Sequence, residues 1–269
     1  MADPVEVNRA RWDELARTHG QDSYYDVEAF LAGADTLQPA ELAELPDVAG
    51  LELLHLQCHF GLDTLSWARR GARVTGVDFS SVAVERARGL AERTGLPARF
   101  APADVLDLPA DLGGRFDVVV ATYGVLCWIS DIGAWMRSAA SALRPGGRLV
   151  VVDLHPLLQM FDSVDPLVLD FPYADAGVLY YDSPGSYADP GARMTASASV
   201  NYAHSLGETV TAAADAGLRV DTLREHLSGT ARDERPGVTE LGEDGRYRFR
   251  IGGQDLPVLF TLAATRPGA

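Results

Sequence analysis

Apolar residues recur along this chain in two rhythms. Short runs at 51–56 (L-E-L-L-H-L), 73–77, 99–103, 116–121 and 148–153 have the length and aliphatic character of strands buried on both faces. Longer segments between them place apolar residues at helical spacing. The segment 63–70 has Leu65 and Ala68 on one side, arginines in its last turn and Gly71 beyond it. The segment 82–94 can be capped by Ser80 or Ser81 and is stopped by Gly95. A third helix is predicted over 131–143, before the turn P-G-G. Strands alternating with helices predict an α/β fold with a doubly wound, mostly parallel sheet.

Outside that core the rhythm changes. Residues 5–20 can form an amphipathic helix with Val5, Trp12, Leu15 and Ala16 among its apolar positions. A second short helix capped by Asp22 or Ser23 follows, then a connector over 37–50. This arm either packs Trp12, Tyr25 and Phe30 on the core or closes over a site as a lid. Residues 155–201 are rich in Pro, Gly, Asp and Tyr, and an insertion of that length in a compact domain is functional or mobile. Its place after the fifth strand makes it the candidate substrate cap. A helix over 204–216, a strand over 218–226, a polar hairpin or loop over 228–253 and a strand over 256–265 complete the chain. The whole reads as one domain, 1–269, made of an arm (1–50), a core (51–154), the cap insertion (155–201) and the closing part of the sheet (202–269).

The chemistry starts at the first strand–turn–helix–strand unit. Asp78 closes the second strand 23 positions after His55, against the roughly 20 that separate a nucleotide-binding turn from its ribose-binding acid. A dinucleotide site wants G-x-G-x-x-G, whereas this turn keeps Gly61 and has Gln57 and His59 where tighter glycines would stand. The chain contains no lysine, which argues against a Walker-type phosphate loop and against Schiff-base chemistry. A ligand with a ribose and no pyrophosphate remains.

In this respect the sequence resembles the class I S-adenosylmethionine (SAM) dependent methyltransferases. The resemblance rests on Asp78 after the second strand, Asp104 in F-A-P-A-D-V, the fourth strand F-D-V-V-V-A-T-Y-G-V-L and L-R-P-G-G-R-L-V-V-V, all in the family's order over 51–152. The turn variant L-H-L-Q-C-H-F-G-x-D-T resembles bacterial small-molecule methyltransferases, including N-methyltransferases of antibiotic pathways. The resemblance implies a Rossmann-like sheet with an antiparallel last strand. It also implies SAM as cofactor, with S-adenosylhomocysteine as product. Asp78 would hold the ribose hydroxyls and Asp104 the adenine amine, with Val105 adding backbone contacts and Phe79 stacking. Gln57, Cys58, His59, Gly61 and Thr64 would surround the methionine end, with Ser80 and Thr122 nearby. His55 reads as a satisfied buried histidine.

Methyl transfer from a sulfonium is a direct displacement at carbon. The protein must align acceptor, methyl and sulfur, exclude water, and take a proton where the acceptor needs it. His155 and His204 follow elements whose ends should face the site, and Tyr123 borders the transferring methyl in similar enzymes; these are the catalytic candidates. Trp12, Tyr24, Tyr25, Tyr180 and Tyr181 are the candidate substrate contacts, with Tyr187 as a further member of an aromatic pocket. Cys127 and Trp128 read as packing. The acceptor expected from the turn variant is an amine nitrogen of a secondary metabolite; a hydroxyl oxygen comes second. A SAM-binding protein without transferase activity and a nicotinamide oxidoreductase are the readings from other classes.

Composition narrows the partners. A net charge of −15 repels nucleic acid and anionic membrane. No run of 18 apolar residues spans a bilayer, and M-A-D-P-V-E-V-N-R is not a signal peptide, so a cytoplasmic protein with a small-molecule substrate is expected. The two cysteines, Cys58 and Cys127, build no disulfide framework, and the scattered histidines predict no metal site. Homo-oligomerisation stays open.

Overall fold

In the computed structural model, residues 3–20, 24–174, 177–189 and 191–268 are described. Seven strands form the central sheet: β1 Glu52–Leu56, β2 Arg73–Asp78, β3 Ala98–Pro102, β4 Phe116–Thr122, β5 Leu143–Leu154, β6 Arg219–His226 and β7 Leu259–Thr265. Their order across the sheet is β6-β7-β5-β4-β1-β2-β3. β1 pairs in parallel with both β2 and β4, β2 with β3, and β4 with β5. β7 runs antiparallel to β5 and to β6. The expected doubly wound sheet with an antiparallel last strand is therefore the fold.

Alternation within the apolar runs decides which helices cover which face. In β4, Val119 and Ala121 join the cluster that also holds Trp135, Met136 and Ala139 of the helix α6 (Ile132–Ala142) and Ala212 and Ala213 of the helix α8 (Leu206–Asp215). Val118 and Val120 point to the other face, beside Trp67 and Ala68 of α4 (Leu62–Arg69). A strand buried on both faces needs apolar residues at every position, which is why V-V-V reads as continuous. Each fully buried valine stabilises by about 1.5–3 kcal/mol. Ser80 caps α5 (Ser81–Thr94), its hydroxyl accepting from the Ala83 amide, and Gly95 ends it in the left-handed region.

Three boundaries differ from the sequence reading. The connector 37–50 contains a helix, α3 (Pro39–Glu44), where Pro39 opens the turn and Glu41 folds back onto the Gln38 amide at 2.6 Å. R-P-G-G does not end a turn before β5 but lies within it, with a register shift against β4 between Phe116 and Val118. The region expected as a loop or hairpin over 228–253 carries two strands of a small three-stranded sheet, Thr239–Leu241 and Tyr247–Ile251, completed by Gln254–Leu256, so the last strand of the central sheet begins at Leu259 and not at 256.

The arm consists of α1 (Pro4–Thr18) and α2 (Val27–Leu31). Asp26 caps α2, and the candidate caps Asp22 and Ser23 lie outside the described residues. Asn8 of α1 exchanges two hydrogen bonds of 2.8 Å with the Val200 backbone. Arg11 donates to the carbonyls of Ser183, Ala196 and Ser197, and Glu14 accepts from Thr195 and Ala196. The insertion, with hairpins Phe161–Val164/Leu167–Leu169 and Leu179–Asp182/Ala198–Asn201, thus clasps the arm. Among the described residues no helix is long and apolar enough to cross a membrane.

At the end of β5, Asp153 is buried, and its carboxylate accepts from the backbone amides of Gly124, Val125, Leu126 and Leu154. It fixes the turn after β4, where Tyr123 and Gly124 both have positive φ. Leaving a buried donor unmet costs about 1–3 kcal/mol. Asp153→Ala should therefore lower the unfolding free energy in urea by at least about 2 kcal/mol; an unchanged midpoint would show that these amides find other acceptors.

Candidate active site

Parallel strands deliver their connecting turns to one edge of the sheet, and the crevice there opens where strand order reverses, between β1 and its neighbours. A cavity of about 440 Å³ runs along this edge, within the roughly 300–1,000 Å³ typical of small-molecule sites. Asp104 lines it after β3, Asp78 at the end of β2, Gln57 to Gly61 after β1, Thr122 and Tyr123 at the end of β4, and Leu154 at the end of β5.

The β1 turn reaches its shape without most of the expected glycines. Gln57 and His59 adopt φ of 51° and 49°, a left-handed conformation that costs a non-glycine residue about 1–3 kcal/mol. Both side chains offset that cost with hydrogen bonds. Gln57 donates to the Val125 carbonyl at 2.9 Å and accepts from Trp135 Nε1 at 3.0 Å. The His59 amide donates to Asp78 Oδ2 at 2.9 Å, and its Nε2 meets His19 Nδ1 of the arm at 3.0 Å. His19 Nε2 in turn meets Ser186 Oγ of the insertion at 2.9 Å. Gly61 keeps the one position where a side chain cannot fit: at φ 84° an added Cβ would stand 2.8 Å from the Phe100 ring.

Asp78 accepts from the Ser80 amide on its other oxygen, at 2.9 Å. Burial pushes its carboxyl up to about 6, against the pull of the Ser80 and His59 amides. Each oxygen keeps a second lone pair for a ligand hydroxyl. Asp104 Oδ1 accepts from the Leu106 amide at 2.9 Å. His55 lies beneath this row, with Nδ1 on Thr64 Oγ1 at 2.8 Å and Nε2 toward Thr122 Oγ1 at 3.3 Å. Burial lowers it to about 4, so it is neutral. His59 is likewise held well below the ordinary imidazole value by burial, with His19 and Arg86 adding to the effect.

The arm forms one wall. Trp12 packs edge-to-face on His59 and on Trp128, at ring separations of 5.3 and 5.2 Å. Asp13 accepts from Ser80 Oγ, and Arg86 donates to the Ala16 carbonyl, tying α1 to α5. Tyr24 and Tyr25 line the cavity with Tyr187, whose hydroxyl meets that of Tyr25 at 2.5 Å. A further stretch of wall comes from Arg232 to Arg235, in the loop that leads into the small three-stranded sheet, and the Tyr24 hydroxyl donates to the Arg232 carbonyl at 3.2 Å.

Most expected contacts thus converge on one cavity: Trp12, Tyr24, Tyr25, Gln57, Cys58, His59, Gly61, Asp78, Phe79, Asp104, Thr122 and Tyr123. Others do not line it. Thr64 is buried against His55, Ser80 is spent on capping α5, and Val105 packs in the core. Tyr180 is 56% exposed on its hairpin, and Tyr181 stacks on Phe171 at 5.9 Å. His155 caps the short helix α7 (Pro156–Gln159): Nδ1 accepts from the Leu157 amide, and Nε2 meets Glu225. His204 Nε2 meets the Ile129 carbonyl at 2.7 Å. Tyr123 lines the cavity but donates its hydroxyl to Glu41, whose carboxyl burial raises to about 7. Burial and that carboxylate hold the Tyr123 phenol far above its ordinary value, so it carries no base function.

The sequence reading missed the Arg232–Arg235 wall and assigned Cys127 and Trp128 to packing, although both line the cavity. The R-D-E-R run stood out only as charge in a polar loop; nothing local marks a loop that folds back over a sheet edge more than a hundred residues away.

The sequence model of a family described as a methyltransferase domain matches residues 53–147. A ubiquinone biosynthesis O-methyltransferase of a Methylobacterium species is 34% identical over 129 residues, covering 48% of this chain and 49% of that protein. A protein of the same name from Caulobacter vibrioides is 36% identical over 172 residues, covering 58% and 65%. The chain therefore spans about half to just under two thirds of the length of these curated relatives. Their names are those of O-methyltransferases, not of the antibiotic-pathway N-methyltransferases that the turn variant suggested. Among solved structures, a SAM-dependent methyltransferase from Mesorhizobium loti superposes with a TM-score of 0.60 at 24% identity, over 88% of this chain and 100% of that one. Residues 53–147 thus match the model of a methyltransferase domain, and the chain shares its fold with solved SAM-dependent methyltransferases.

Proposed function

We propose that this protein transfers a methyl group from SAM to a small-molecule acceptor, and that the accepting atom is a phenolic hydroxyl oxygen. The observation that carries the reading is the row of Asp104, Asp78 and the Gln57–Gly61 turn along one cavity at the carboxyl edge of the sheet. These residues suit the cofactor's chemistry. Asp78 offers lone pairs to the ribose hydroxyls, Asp104 an acceptor to the adenine amine, and the β1 turn a site for the methionine end. Bound there, SAM supplies a methyl already activated by its sulfonium.

The rest falls to the chain. Trp12, Tyr24, Tyr25 and Tyr187 wall the cavity with rings that exclude water and tolerate a cation against their faces. Thr122 and Tyr123, with the turn held by Asp153, set the floor at β4. The imidazoles lining the cavity are neutral and poor bases, while His155 and His204 are tied up outside it. The other bases on the lining are carboxylates, of which Asp63 is paired with Arg232 and Asp233 accepts from the Thr230 amide, and such weak bases suit an acceptor whose hydroxyl is already acidic. The O-methyltransferase names of the curated relatives support oxygen over nitrogen.

Two measurements test this. Calorimetric titration with S-adenosylhomocysteine should give binding that weakens about tenfold between pH 7.5 and 5, because Asp78 is ionised above its pKa of about 6 and protonated below it. Asp78→Asn should bind at least about tenfold more weakly at pH 7.5 and lose most of the pH dependence. Absence of binding to the wild type would sink the reading. In methyl-transfer assays with labelled SAM over a panel of phenols, alcohols and amines, phenols should lead. His155→Ala and His204→Ala should keep kcat within about threefold, against the roughly 10²–10⁴-fold that a general base contributes. Binding without transfer to any member would favour a non-catalytic SAM-binding protein.

A further inference from the structure

Arg232 and Arg235 stand three positions apart on one loop, and the fold treats them oppositely. Arg232 forms an ion pair with Asp63 at 3.3 Å, with both side chains only 16% exposed. Burial works against its charge, but Asp63 and the phenols of Tyr24 and Tyr25 outweigh it and raise its pKa. Arg235 has no such partner: among the described residues no carboxylate lies within 4.0 Å of it. Asp162 and Asp170, the acids whose fields reach it, are exposed. Its Nη1 makes one long hydrogen bond, 3.5 Å, to the Leu158 carbonyl.

The loop nevertheless holds this residue in place. The Arg235 amide donates to Thr239 Oγ1 at 2.7 Å, and its carbonyl accepts from the Val238 and Thr239 amides at 2.9 and 2.8 Å. A guanidinium on a well-anchored backbone, always charged and with five N–H donors, therefore lines the cavity with most of its donors unspent. Burial pushes its pKa below the ordinary value, as expected of a cation kept from water without a counter-charge. In a chain of net charge −15, carboxylates are abundant, yet among the described residues none pairs with Arg235.

Position along the sheet edge decides what the missing partner is. The cofactor row runs from Asp104 through Asp78 to the β1 turn, and the Arg232–Asp63 pair stands at the first turn of α4, just past that turn. Arg235 stands at the other end. Leu158, which it touches, follows β5, and Cys127, whose thiol feels its charge, follows β4. Tyr123 and Leu154 line the cavity at the ends of the same strands. This is the acceptor's end of the site.

Resting on the methyltransferase reading above, we propose that the acceptor carries an anionic group, a carboxylate or a phosphate monoester, which pairs with Arg235 and orients the hydroxyl toward the methyl. A planar guanidinium grips either anion with two parallel hydrogen bonds. The long-range field of this acidic protein repels anions, so the preference is local, made by this one side chain.

The test uses the full chain saturated with S-adenosylhomocysteine, titrated with benzoate against benzamide and with phenyl phosphate against phenol. The expected result is a Kd at least about tenfold lower for one or both anions than for the neutral counterpart. Which anion wins identifies the group. In Arg235→Gln the preference should fall to within about twofold, and in Arg235→Lys it should return in part, since the charge stays while the fork is lost. Equal binding of charged and neutral probes, no binding of any probe, or a preference unchanged in Arg235→Gln would overturn the proposal. Loss of S-adenosylhomocysteine binding in Arg235→Gln alone would assign the arginine to the cofactor and also overturn it. Failure of the wild type to bind S-adenosylhomocysteine would instead fail the methyltransferase reading.

Discussion

Parallel strands whose central members β1, β4 and β5 are buried on both faces can meet polar ligands only where their backbones end. This constraint arranges the rest of the molecule. Side chains in β1, β4 and β5 alternate between two apolar clusters, which leaves no room for chemistry along the strands themselves. Everything polar that can act is carried by the turns at the carboxyl edge, and the parallel direction brings five of those turns side by side. A row of Asp104, Asp78, the β1 turn and the β4 turn follows from strand order alone.

The walls above that row come from three distant parts of the chain, and hydrogen bonds couple them. His59 in the β1 turn meets His19 in the arm, which meets Ser186 in the insertion. Asn8, Arg11 and Glu14 bind the same insertion to the outer side of α1. The insertion clasps the arm, and the arm forms one wall of the cavity. Only Tyr187 of the expected insertion contacts lines the cavity, because the hairpin carrying Tyr180 and Tyr181 pairs with the strand that faces α1.

Electrostatics divides the cavity in the same direction as the sheet. Carboxylates stand under β2 and β3, suited to hydroxyl and amine donors, whereas the loop near β4 and β5 brings cationic guanidinium. Burial keeps His55 and His59 neutral between these ends, and Asp63 pairs the charge of Arg232 beside the β1 turn.

Local pattern determined the core of this protein. Strands β1 to β5, the caps at Ser80 and Gly95, and the acids at Asp78 and Asp104 were legible because each is set by residues a few positions apart, and strand direction then fixes where the acids lie. The left-handed Gln57 and His59 were legible only as departures from a glycine pattern; what makes them tolerable is a set of bonds to Val125, Trp135 and His19, far away in sequence. Tertiary structure alone decided the fate of the histidines and of the arginines. His155 and His204 follow the right elements, yet a cap and a carbonyl turn their nitrogens away from the cavity. Arg232 and Arg235 look alike in sequence, and only the approach of Asp63 to one of them separates a paired charge from an unpaired one.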